Sequence, residues 1–90
     1  MADLNNRTNI QGHPLAFLKE GDSADIVEFL INPESKYAES LYRLDEMGIR
    51  PGKTIQMLNN SNGHSILVKI DNSRLAISRQ VAMKIYVRKS

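Results

Sequence analysis

Apolar positions along the chain fall into short blocks separated by turn-forming residues, and the spacing within the blocks switches between strand and helix periods. Residues 1–13 are polar, rich in Asn and without period. They offer no apolar face with which to dock, so a flexible polar leader is expected ahead of a folded domain over residues 14–90. From Pro14 the chain turns apolar through Leu15, Phe17 and Leu18, and Gly21-Asp22 leads it into Ser23–Leu30, the first expected strand. The alternation of Ala24 and Ile26 changes phase at Val27 and Phe29, as it does at a bulge or in a fully buried strand centre.

Asn32-Pro33-Glu34-Ser35 reads as a helix start: Asn can accept from an orphan N–H, Pro suits the first helical position, and Glu complements the dipole. Tyr37, Leu41, Leu44 and Met47 then form one apolar stripe, with Glu39, Ser40, Arg43 and Glu46 facing outward. Gly48 fits the left-handed position just past the helix, with Ile49 placed to meet Leu44 across a Schellman cap. Arg50-Pro51-Gly52-Lys53 carries Pro and Gly where a type II turn needs them.

A strand is expected from Thr54, with Ile55 and Met57 on one face. The cluster Asn59–Gly63 turns the chain into His64–Ile70, whose Ile66, Val68 and Ile70 share a face, and Asp71-Asn72-Ser73 reverses it into Leu75-Ala76-Ile77. Ser78 can cap a short helical turn over Arg79–Met83, and Ile85-Tyr86-Val87 reads as the last strand. The fold class is therefore mainly β. About five short strands, with an α-helix inserted after the first and a helical turn before the last, suit a small barrel, which removes the edges of an open sheet.

Composition agrees with one domain. The chain has 90 residues, 41% of them apolar, too few for two independent cores. Twelve Lys and Arg against ten Asp and Glu leave a charge of +2. No basic block exceeds Arg88-Lys89, whereas phosphate binding needs a dense cationic patch, so no nucleic-acid partner is expected. The absence of cysteine excludes disulfides, thiolate metal centres and thiol nucleophiles. Apolar runs stop at four residues, against ~20 for a membrane span, and the N-terminus lacks a secretory pattern; a cytoplasmic location without direct membrane insertion is the expectation.

Candidate chemistry is sparse. His13 and His64 lie far apart with no metal-ligand spacing around them, and His64, beside a turn, reads as a solvated rim residue rather than a ligand. The carboxylates of Glu34, Glu39, Asp45 and Glu46 read as helix-surface charge. Gly48-x-x-x-Gly52 lacks the Gly-Lys-Ser/Thr of a phosphate loop, and no serine sits in a nucleophile elbow. Met47, Met57 and Met83 read as core rather than as a soft-metal site. No catalytic, cofactor-binding or metal site is assigned, and the chain is not expected to be an enzyme. Tyr42 stands apart: an aromatic one residue round from the apolar stripe and followed by Arg43 is a candidate interface anchor.

Three blocks carry a family resemblance. Leu15–Val27, Leu41–Gly52 with its Leu-x-x-Met-Gly-Ile-x-Pro-Gly string, and Leu75-Ala76-Ile77-Ser78-Arg79 followed by Ala82, Ile85 and Val87 resemble the FeoA family, ferrous iron transport protein A. The resemblance runs from Leu15 to Arg88. It departs from the family in its longer polar leader and in lacking Gly-Asp-Pro in the Asn59–Gly63 turn. What it implies is an SH3-like β-barrel with an inserted helix, a module also resembling the C-terminal domain of iron- and manganese-dependent repressors. It further implies a small cytoplasmic accessory or regulatory protein of bacterial ferrous iron uptake, in protein–protein contact with the cytoplasmic part of the FeoB membrane transporter. The outer helix face and following turn are the expected contact surface, with Tyr42, Arg43, Arg50, Pro51 and Gly52 as its residues. The alternative is a regulatory domain that binds a divalent transition metal through His64 and nearby carboxylates.

Overall fold

The computed structural model describes residues 12–61 and 63–89. Strand β1 (His13–Pro14) leads into a 3-10 turn (Leu15–Phe17) and β2 (Ser23–Phe29). Helix α1 (Ala38–Glu46) follows, then β3 (Thr54–Asn59), β4 (Ser65–Ile70), β5 (Ser73–Ser78), helix α2 (Arg79–Ala82) and β6 (Ile85–Lys89). The strands form one antiparallel sheet in the order β1-β6-β2-β3-β4-β5.

Alternation supplies the core. Ala24 and Ile26 on β2, Ile55 and Met57 on β3, Ile66, Val68 and Ile70 on β4, and Ile85 and Val87 on β6 all point inward and are buried. The phase change at Val27 is a bulge: the register of β2 against β6 shifts between Ile26 and Glu28. A second shift, between Met57 and Asn59, bends β3 before its hairpin with β4. Leu41, Leu44, Ile49, Val81 and Leu15 complete the same apolar cluster from the helices and turns.

The mainly β class holds, and the structure differs from the expectations in four details. The expected strands, put at about five, number six, because His13 and Pro14 also pair, with Val87 and Tyr86. The last residue of the expected leader thus belongs to the sheet, while residues 1–11 lie outside the described residues. Second, α1 begins at Ala38 rather than after Asn32. The Asn32 carboxamide oxygen accepts from the Glu34 N–H at 3.0 Å, and the Ser35 N–H donates to the Asn32 carbonyl at 2.8 Å. The same Asn-Pro chemistry closes a tight turn instead of capping a helix.

Third, the helix buries Ala38, Leu41 and Leu44, whereas Met47 is 60% exposed and Met83 is also exposed. Of the three methionines expected in the core only Met57 is there. Fourth, the ladder does not close. β1 and β5 are its two edges, and the gap is plugged by α2, which packs on β5, β4 and the 3-10 turn. Among the described residues no helix is long and apolar enough to cross a membrane.

Candidate partner-binding surface

The end of α1 is built to hold a fixed exit angle. The Ile49 N–H reaches the Leu44 carbonyl and the Gly48 N–H the Asp45 carbonyl, both at 3.0 Å, which together make a Schellman cap. Gly48 supplies the positive φ, +97°, that this cap demands. Ile49 is buried and drives the chain into the core directly after the helix. The turn Arg50-Pro51-Gly52-Lys53 then closes with the Lys53 N–H on the Arg50 carbonyl at 3.1 Å, Gly52 taking φ +96° as a type II turn requires. The Gly52 N–H donates to the Ile26 carbonyl at 2.8 Å, which ties the turn to β2.

On this frame the five expected contact residues are all exposed. Tyr42 is 49% exposed. Arg43 pairs with Glu39 one helical turn earlier, at 3.2 Å. Arg50 does more than project: its guanidinium donates to the Asp45 carbonyl at 2.8 Å and meets the Asp45 carboxylate at 3.2 Å. A cation thus adds a further donor to a carbonyl that already accepts from Gly48, at the negative end of the helix dipole. Lys53 pairs with Asp71 at 2.8 Å.

The structure divides the expected site into two flanks. Successive helical residues stand about 100° apart. Tyr42 accordingly shares its flank with Asp45, and through it with Arg50 and the Pro51-Gly52 turn. Arg43 faces the other way, with Met47 and Ser40, into a groove of about 230 Å³ between α1 and β5.

A second surface went unread in the sequence. Arg79 donates to the Gly63 carbonyl at 3.0 Å, the Asn60 side-chain oxygen at 2.7 Å and the Ser61 carbonyl at 2.6 Å. Asn60 in turn donates to the carbonyls of Ala16 and Leu18, at 2.9 and 2.8 Å. This clamp fixes the β3–β4 loop against the 3-10 turn. Beside it lies an open cleft of about 470 Å³ lined by Phe17, His64 and Met83 among others, with Phe17 66% exposed. The only signals for it were the Asn cluster and the Arg directly after the Ser78 cap. Among the described residues no three His, Asp or Glu side chains converge to hold a metal ion.

A model of the FeoA domain matches residues 13–89. A Methanocaldococcus jannaschii protein assigned as Fe(2+) transport protein A is 35% identical over 75 residues, which cover 83% of this chain and 84% of that one. A crystal structure of an iron uptake regulatory protein, FeoA, superposes with TM-score 0.72 at 29% identity, over 87% of this chain and 96% of that one. The zinc complex of Stenotrophomonas maltophilia FeoA, described as a prokaryotic SH3 domain protein, superposes with TM-score 0.71 at 23% identity, over 84% and 89% of the two chains. The expected SH3-like fold is thereby established.

Proposed function

The chain belongs to the FeoA domain family, and we propose that it is a cytoplasmic accessory protein of ferrous iron uptake that works by binding, without catalysis, to the cytoplasmic part of a FeoB-type transporter. One observation carries the choice of contact surface. The Tyr42 flank of α1 and the Arg50-Pro51-Gly52 turn are exposed and project from a rigidly capped corner. Tyr42 brings rigid apolar area at low entropic cost, and the arginines bring planar donors; both residue types are enriched in binding hot spots. Because Arg50 is already held by Asp45, it meets a partner preorganised.

Co-purification with an affinity-tagged FeoB from the source cell tests this reading. The wild-type chain is expected in the eluate and Tyr42→Ala depleted from it; absence of the wild-type chain contradicts the proposal. An anaerobic calorimetric titration with ferrous or manganous ion separates the metal-binding alternative from the adaptor reading.

A further inference from the structure

The open edge of the sheet at β5 is unexplained by the surface just described. The phase of the β4–β5 ladder is fixed by the Ile70–Ser73 pair across the two-residue connection and by the Arg79 N–H on the His64 carbonyl at 2.7 Å. Hydrogen-bonded pairs therefore alternate through Leu75 and Ile77, and the backbone of Arg74, Ala76 and Ser78 is directed away from β4. Among the described residues the N–H and C=O of Arg74 and Ala76, and the N–H of Ser78, have no partner. Such an edge is a template for another strand.

Two further features say what strand would fit. The groove between this edge and α1 is lined on its helical side by Met47, Leu44 and Arg43, so a chain laid along β5 would have apolar and cationic walls opposite its backbone bonds. Arg74 also stands directly opposite Lys69, a like-charge cross-strand pair that is unfavourable alone, and neither has an ionic partner among the described residues. β5 itself carries no carboxylate.

We propose that β5 accepts an extended segment of a partner protein as an added strand, lying between β5 and α1, with acidic residues facing Arg74 and Lys69 and an apolar side chain against Met47. Backbone bonds supply affinity and alternate side chains supply selectivity, as in other strand-addition sites. A second copy of this chain is a poorer occupant, since it would bring the same uncompensated cations to the same edge. The proposal stands independently of the transporter assignment.

The test is an NMR titration of the ¹⁵N-labelled full chain with two capped peptides, Thr-Glu-Val-Glu-Val-Glu-Thr and Thr-Lys-Val-Lys-Val-Lys-Thr. The acidic peptide is expected to shift the amides of Arg74, Ala76 and Ser78, slow their exchange, and bind about tenfold more tightly than the basic one. Ala76→Pro removes an outward N–H without touching a β4 bond, as Pro is tolerated on an edge, and should abolish binding while leaving the melting temperature nearly unchanged. Should that variant fold poorly, Arg74→Glu serves alone and should reverse the peptide preference. Three results overturn the proposal: no binding of either peptide, shifts confined to the Phe17 cleft, or a self-associating wild type that Ala76→Pro renders monomeric.

Discussion

Replacing Gly48 tests the corner on which the proposed contact surface is built. At φ +97° an added Cβ crowds the backbone, at about 1–2 kcal/mol for an L residue. No heavy atom lies within 4 Å of where that Cβ would stand, so packing contributes neither clash nor gain. The narrower unfolded ensemble of Ala offsets roughly 0.4–1 kcal/mol. The net expectation for Gly48→Ala is a loss of about 1 kcal/mol, or roughly 4–8 °C in melting temperature for a domain of this size. Gly48→Val should lose more through its branched Cβ, and Gly48→Asn least, because Asn tolerates positive φ. Thermal melts followed by circular dichroism read the series. Equal midpoints for wild type, Ala and Val would refute both the cap and the backbone argument.

Asn60→Ala should destabilise by about 1–3 kcal/mol in urea titrations, since it leaves the Ala16 and Leu18 carbonyls and the Arg79 guanidinium short of partners. Arg50→Ala should lower stability by a few tenths to about 1 kcal/mol, because it removes the cation over the end of α1, and the same thermal melts detect it. The purified chain should leave GTP intact, having no phosphate loop; GTPase activity that follows the protein peak through stringent purification would make the binding-only reading wrong.

Local chemistry was legible where it decides local structure. The Schellman glycine, the type II turn, the Ser78 cap and the β2 bulge each follow from a few neighbouring residues, and each is present. Asn32-Pro33 misled because a side-chain oxygen accepting from a nearby N–H serves a turn as well as a helix cap. Met47 lies at the helical spacing expected of a buried residue, but periodicity names only a direction, and an open groove lies opposite. Barrel closure depends on whether β1 and β5 meet, which is set by the placement of α2 and has no sequence period. Tyr42 and Arg50, on one side of the proposed contact surface, are exposed as their sequence context suggested; the separation of Arg43 onto the groove side, and the Asn60–Arg79 clamp, arise only from tertiary placement.

The central claim, that the chain acts by binding a transporter through the corner formed by α1 and its following turn, is tested most directly by calorimetric titration. The full chain is titrated into the purified cytoplasmic part of the FeoB-type transporter. Wild type should bind, and Tyr42→Ala should bind about five- to thirty-fold more weakly, equivalent to roughly 1–2 kcal/mol, with its melting temperature nearly unchanged. Arg88→Ala, exposed on β6, should bind as wild type does. Undiminished binding by Tyr42→Ala, or no binding by the wild-type chain, would contradict the account.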